Sequence, residues 1–173
     1  MKDKTISTKK EILVVMVCAV LLLLNMGAIN RIGRRKARKM VCLTNIKHMA
    51  HAWLLYARDN DNKLVNGAVG FSNMNMSWGN HTNEPAWINS FSMNPEDVIR
   101  GIKDGALWPY LKDLNMYRCP AGRRGQMSTY SIMFSMNAAC HPEVQGVPGA
   151  HVKKLTEIQN PEQRLVFIDE GRM

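Results

Sequence analysis

The cysteine and histidine side chains that could bind a metal are few and irregularly spaced. Four of them lie in the second half of the chain: Cys119, Cys140, His141 and His151. They do not form the C-x2-C or H-x3-H pairs that structural zinc sites use. His48 and His51 fall on the polar face of a predicted helix. The sequence therefore predicts no metal site from cysteine and histidine.

Carboxylates offer two further candidates. Asp59-Asn60-Asp61 places oxygen ligands at alternate positions, as calcium loops do, but the glycine and the distal glutamate of such loops are missing. We interpret it as a helix stop and keep calcium as the alternative. Asp169-Glu170 precedes Gly171 and indicates a turn. The chain has no nucleophile elbow and no glycine-rich phosphate loop, so we expect no enzyme and no cofactor.

Glu11 is the acid whose position is most unusual, because it opens a run of thirteen apolar residues, 12–24. An acid at the edge of a membrane span can pair with a neighbour such as Lys10 or reach water, and acids inside spans are rare and often functional. From Ile12 to Ile29 a helix would extend about 27 Å at 1.5 Å per residue. A bilayer core is about 30 Å thick. We predict a transmembrane helix at 12–30, preceded by a short basic leader or cytoplasmic tail at 1–11.

A cleaved secretory signal is the alternative for this segment, with Lys9 and Lys10 before the apolar run and Gly27-Ala28 at its exit. The net charge is +9, but residues 1–40 carry ten Lys/Arg and only two acids. The remainder of the chain is nearly neutral. A nucleic-acid-binding domain would carry a basic face on its body, so we expect no nucleic acid partner. Basic residues beside an apolar span suit a lipid bilayer.

The remaining pattern predicts an α+β fold. Apolar residues in steps of three and four predict an amphipathic helix at 31–58 that continues the span. Residues 59–173 would form a small head with a long loop at 66–95. Within the head we predict a helix from Pro95 capped by Asn94, the start of a short helix in 107–111, and a helical turn at 155–158. Strands are predicted at 116–119, 129–134 and 164–168. We expect a small antiparallel sheet packed on the long helix.

Four stretches taken in order resemble the type IV pilin-like proteins, specifically type II secretion pseudopilins of the group found in planctomycetes. They are Glu11 to Val15, Val41 to Lys47 with Tyr56 to Asp61, Leu107 to Leu111 with Tyr117 to Ala121, and Lys154 to Ile158 with Leu165 to Glu170. Within the third stretch, the structural motif of the family is matched by Trp108, Pro109, Tyr110 and Pro120.

The resemblance implies a structural subunit of a periplasmic filament. Such a subunit sits in the bacterial inner membrane by a single N-terminal helix with its body in the periplasm. It assembles through that helix with copies of itself or other pseudopilins, on an inner-membrane secretion platform. Glu11 would attract the N-terminal amine of a neighbouring subunit. The family's prepilin cleavage, followed by N-terminal methylation, would fall between Ile6 and Ser7, but neither residue matches the family's Gly–Phe pair.

Cys42 and Cys119 lie in two of the family-like stretches. In an oxidising periplasm they could pair as a disulfide, or they could remain two separate buried thiols. Some pseudopilins hold calcium in their heads, which keeps that alternative for Asp59 to Asp61.

The alternative function is a signal-anchored extracytoplasmic binding module that does not polymerise. Its long loop, with Trp78 and Trp87, would contact a ligand such as a glycan.

Overall fold

We describe the protein from a computed structural model. It describes the backbone of residues 3–70, 75–76, 79–81, 83–90, 92, 94–123, 125–138, 147 and 149–170. Side chains are described for the same residues except 3–9, 24–30, 75–76 and 79–80. By the density of contacts the chain divides into two compact units, Met1–Met40 and Val41–Met173. Residues 41–58 of the predicted amphipathic helix thus group with the head.

The first element, α1, runs from Asp3 to Asp59. It contains no proline, and its first fifty residues include only two glycines, Gly27 and Gly33, so little in the sequence interrupts helical hydrogen bonding. From residue 42 onward one side of α1 is buried, at positions spaced by three and four: Cys42, Asn45, Met49, Ala52, Trp53, Tyr56 and Ala57. The predicted amphipathic pattern of this half and its stop at Asp59 are confirmed.

Two shorter helices follow where the sequence predicts them. Helix α2, Pro95–Lys103, begins with proline, and the Asn94 side chain accepts a hydrogen bond from the Glu96 N–H at 3.1 Å. Helix α3, Trp108–Leu111, ends at Lys112, whose φ of 52° places it in the left-handed region. The predicted helical turn near residue 155 is a 3-10 turn, Leu155–Glu157.

The predicted strand at 116–119 is wrong. Residues Leu114–Tyr117 instead form a 3-10 turn. The Asp113 carboxylate accepts a hydrogen bond from the Asn115 N–H at 2.9 Å and thereby caps this turn. Local capping by an aspartate outweighs the strand preference of the apolar and aromatic residues that follow it.

The strands form two antiparallel pairs. Strands β1, Asn75–Met76, and β2, Gly79–Asn80, pair within the long loop that we predicted at 66–95, so that prediction is only partly right. Strand β3, Tyr130–Ile132, pairs with β4, Phe167–Asp169, with Ser131 opposite Ile168. Both predicted late strands are present but short, and the fold class is α+β as predicted.

The head has one apolar core. Its fully buried large side chains come from α1, from α2 and from several turns and connecting segments: Met49, Trp53, Val65, Trp87, Ile88, Ile102, Leu107, Tyr117 and Met136. Trp87 stacks on Tyr117 with ring centroids 6.1 Å apart and meets Phe167 edge-on at 5.8 Å. These contacts link segments that are far apart in sequence, so the core closes only when the whole head is folded.

Candidate functional site

The most distinctive surface is the apolar half of α1. The large apolar side chains from Ile12 to Leu23 are between 51% and 69% exposed. A contiguous apolar surface of this kind marks contact with another protein or with a membrane. We define residues 12–23 as the apolar stretch. Cys18 lies within it as an exposed free cysteine.

No helix in the described part of the chain is both long enough and apolar enough to cross a membrane.

Glu11 lies in α1 immediately before the apolar stretch, and its side chain is exposed. The two residues flanking the predicted cleavage position, Ile6 and Ser7, lie within the same helix, but their side chains are outside the described residues. The C-terminal end of the predicted span, residues 24–30, is helical, and its side chains are likewise outside the described residues. Glu11 therefore lies at the start of the apolar stretch.

Cys42 and Cys119 form a disulfide, with sulfur atoms 2.08 Å apart and Cα atoms 5.1 Å apart. The sequence left the disulfide and two separate thiols open. The bond joins the head-packed last third of α1 to Cys119, two residues beyond the 114–117 turn. Both cysteines are buried, and the Cys119 N–H donates to Thr129 Oγ1 at 2.7 Å. The disulfide fixes α1 to the segment that leads into β3.

Asn45 reinforces the same junction and was missed by the sequence reasoning. Its side-chain amide donates to the carbonyl oxygens of Asn115 at 3.0 Å and Arg118 at 3.1 Å. The side chain is almost fully buried, so these bonds replace the water that it loses. The signal was available, because Asn45 is a polar residue on the buried side of an otherwise apolar helical stripe.

A cleft of about 500 Å³ opens beside the disulfide. Its lining includes Asn45, His48, Asp113, Arg118, Pro120 and Arg123. Pro120, which belongs to the family-like motif, is exposed there. The Arg118 guanidinium donates to Asn115 Oδ1 at 3.0 Å, so it is held in place rather than free to act.

The rest of the family-like motif closes the end of α1. The Tyr110 hydroxyl donates to Asp59 Oδ2 at 2.9 Å, and the Tyr110 ring meets Tyr56 edge-on at 6.3 Å. Burial, followed by the Asp59 carboxylate, raises the pKa of Tyr110. Trp108 is half-buried and Pro109 is exposed. This part of the motif is structural, because it packs α3 against the helix end.

The same contacts bear on the calcium alternative at residues 59–61. Asp59 accepts the Tyr110 hydrogen bond, and the Asn60 side chain donates to the Tyr56 carbonyl at 2.8 Å. Asp61 has a φ of 55°, typical of the residue that ends a helix. These side chains serve the helix stop that the sequence predicted.

The zinc groupings do not assemble among the described residues. Cys119 is in the disulfide, Cys140 and His141 lie outside the described residues, and His151 Nε2 lies 3.0 Å from the Ala138 carbonyl oxygen. His48 and His51 are exposed on α1. Within the described part of the chain, the one close set of three ligand-type atoms is Cys42, Cys119 and Asp169, and its two sulfur atoms are bonded to each other.

A partly buried polar cluster in the head was not predicted. The Glu84 carboxylate accepts hydrogen bonds from Lys153 Nζ at 2.6 Å, from His81 Nδ1 at 3.0 Å and from Asn137 Nδ2 at 3.1 Å. Burial raises the pKa of Glu84, but these hydrogen bonds and the Lys153 charge outweigh it and lower the pKa to about 2. At neutral pH Glu84 is thus a fixed carboxylate, suited to holding three segments together and unsuited to proton transfer.

Trp87 does not serve as a ligand contact, and the alternative function is wrong on this residue. Its side chain is fully buried, and its indole N–H donates to the Gly67 carbonyl at 3.0 Å. Trp78, its companion in that hypothesis, lies outside the described residues. A second cleft, of about 680 Å³, is lined by Val69, Ile88, Val98, Tyr130, Ser131 and Glu170 and is the better candidate for a ligand in the head.

Comparison with protein-family models, with curated proteins and with solved structures finds no match for this chain. The function is therefore argued from the apolar stretch, the cations that follow it and the disulfide-linked head.

Proposed function

We propose that this protein is a pilin-like structural subunit of a type II secretion pseudopilus or a related filament. The observation that carries the proposal is the apolar stretch, in which every described side chain from Ile12 to Leu23 is exposed on one helix. Burial of each of the ten large apolar side chains would contribute about 1.5–3 kcal/mol. Lipid, and later the same helices of sister copies, would provide that burial.

The second support is that α1 is shared between this surface and the head. Its last third is packed into the core and bonded to the head through Cys42. This arrangement suits a subunit whose mechanism is assembly rather than turnover.

The disulfide also supports a periplasmic location of the head. Disulfides persist in oxidising compartments such as the periplasm and are rare in the cytosol. We therefore place the head on the periplasmic side of the bacterial inner membrane, with residues 1–11 on the cytoplasmic side. Glu11 would then lie at the cytoplasmic end of the span, where it can attract the N-terminal amine of a neighbouring subunit during assembly.

Cys18 provides a direct test, because it is a native, exposed thiol within the apolar stretch. In membranes from cells that produce the full chain, a membrane-permeant bis-maleimide should link two copies through Cys18. Cys18→Ser should abolish the dimer. In the Cys18→Ser background, Val14→Cys should restore it, whereas Glu162→Cys on the exposed head surface should not.

A dimer yield that is equal for the position-14 and position-162 cysteines would contradict assembly through the apolar stretch. Monomeric protein under all conditions would favour the alternative, a binding module. The 680 Å³ cleft supports that second candidate, since its volume falls within the ~300–1,000 Å³ of known ligand sites. A glycan that binds the full chain, and whose binding is lost in Ser131→Trp, would establish it.

A further inference from the structure

Four arginines lie on one side of α1 just beyond the predicted span. Arg31, Arg34, Arg35 and Arg38 are spaced i, i+3, i+4 and i+7 along the helix. Because an α-helix has 3.6 residues per turn, this spacing brings all four onto one face over about 10 Å of the axis. Every one of the four side chains is exposed. We define these residues as the arginine face.

No acidic residue lies close to the arginine face along its own helix. The sequence has no acidic residue between Glu11 and Asp59, while Lys36 and Lys39 add two further cations within the same turns. Among the described residues, the ion pairs are formed by other groups, and none includes one of these arginines. Like charges at i, i+4 repel one another, so an anionic partner from outside the chain would stabilise this group of cations.

The arginine side chains indicate the chemical class of the partner. A guanidinium group is planar and donates two parallel hydrogen bonds to a phosphate, whereas an ammonium acts as a point charge. An acidic polymer such as RNA would also need basic contacts on the head, yet residues 41–173 carry thirteen Lys/Arg against twelve acids. The arginine face thus suits a phosphate-bearing surface that meets the helix at this one level.

We propose that the arginine face binds the phosphate groups of anionic phospholipids, an inference that rests on the membrane insertion proposed above. The predicted apolar span ends immediately before Arg31. The headgroup layer is about 5–8 Å thick on each side of the hydrocarbon core. A row of four arginines that rises about 10 Å begins at the lipid–water boundary and crosses this layer. The site would retain anionic lipid around each subunit and hold α1 at a fixed depth.

The test compares four full-length proteins in nanodiscs made of phosphatidylcholine with a minor fraction of phosphatidylglycerol. They are the wild type, the quadruple Arg→Gln variant of the arginine face, the quadruple Arg→Lys variant, and a control with Lys47, Lys63, Lys103 and Lys112 changed to Gln. The control removes the same charge from exposed positions elsewhere. The readout is the ratio of phosphatidylglycerol to phosphatidylcholine retained by each protein in native mass spectrometry.

We expect wild type and control to retain phosphatidylglycerol above its share of the nanodisc. The Arg→Gln variant should lose this preference about tenfold or more, since a basic residue at a membrane surface contributes about 1 kcal/mol. The Arg→Lys variant should retain part of it, because it keeps the charge and loses the paired hydrogen bonds.

An unchanged lipid ratio in the Arg→Gln variant would overturn the site while leaving membrane insertion intact. A full preference in the Arg→Lys variant would overturn the role of the guanidinium groups. Tighter binding of the wild type to an RNA oligonucleotide or to polyglutamate than to phosphatidylglycerol nanodiscs would overturn the choice of lipid. Failure of all four proteins to enter nanodiscs of either lipid would instead count against the proposed function.

Discussion

The two ends of α1 share one helical backbone but differ in which side chains they expose and which they bury. From Ile12 to Leu23 the helix exposes its large apolar side chains all round, and from Arg31 to Lys39 it exposes six cations. From Cys42 to Ala57 it buries one apolar side and leaves the other polar, as a helix of a globular domain does. The described apolar side chains of the first part are exposed, whereas those of the second part are packed in the core of the head.

The head is stabilised by links between distant segments. The disulfide joins residues 77 positions apart, and the Lys153–Glu84 ion pair joins residues separated by 69. Under the proposed function, the head would fold and form its disulfide by itself, whereas the apolar stretch would be covered by lipid or by other copies. If so, substitutions in the head should change its stability without releasing the chain from the membrane. Substitutions in the apolar stretch should release the chain from the membrane without changing the stability of the head.

The largest effect is expected for Trp87→Ala. This change removes a fully buried side chain, its contacts with Tyr117 and Phe167, and its hydrogen bond to Gly67, and should cost about 3–5 kcal/mol of head stability. Denaturant unfolding followed by circular dichroism would measure it. The half-buried Trp108→Ala is the matched control and should cost clearly less. Equal losses would show that Trp87 is not central to the core.

Loss of the disulfide should follow in size. Replacing both Cys42 and Cys119 by Ser should lower the free energy of unfolding by about 2–5 kcal/mol, since a loop of this length becomes open in the unfolded chain. Cys18→Ser serves as the control and should leave the head unchanged. The double variant should still fractionate with membranes. Its release into the soluble fraction would contradict the separation of the two regions.

The smallest effect concerns Glu84. Its pKa is lowered from 4.5 to about 2 in the folded protein, so its ion pair contributes stability above pH 4.5 and loses that contribution as the pH falls toward 2. Glu84→Gln should cost about 1 kcal/mol at neutral pH, because the pair is partly exposed to solvent.

The measurement is the free energy of unfolding at several pH values between 2 and 7. The Glu84→Gln variant should show a flatter dependence between pH 2 and 4.5 than the wild type. The exposed Glu162→Gln should behave as the wild type does. A wild-type slope retained in Glu84→Gln would assign the acid sensitivity to another carboxylate.

The sequence predicted those features that are determined by residues close together in the chain. The Asn94 cap, the proline start of α2 and the stop of α1 at Asp59 are set by neighbouring residues, and all three are where we expected them. The strand predicted at 116–119 failed because one Asp113 hydrogen bond redirected the backbone. Trp87 looked like an isolated loop residue, since its partners Tyr117 and Phe167 lie 30 or more positions away.

The same reasoning applies to the sites. Glu11 and the arginines stand out because their unusual feature is their position in a run of apolar or basic residues, which one sequence displays directly. The Glu84 cluster has no such pattern, since Lys153 and Asn137 reach it from separate loops. Asn45 lies between these cases, because a polar residue on a buried helical stripe was visible but its partners were not.

The most direct test of the account is whether the apolar stretch holds the full chain in a membrane. Membranes from producing cells would be washed with alkaline carbonate, and the protein would be followed in the pellet and the supernatant. We expect the wild type and Leu165→Arg, which changes an exposed apolar residue of the head, to remain in the pellet. Val17→Arg should be released at least in part, because an arginine within a span costs about 3 kcal/mol. Wild-type protein that is found wholly in the supernatant, as a folded monomer, would contradict the account.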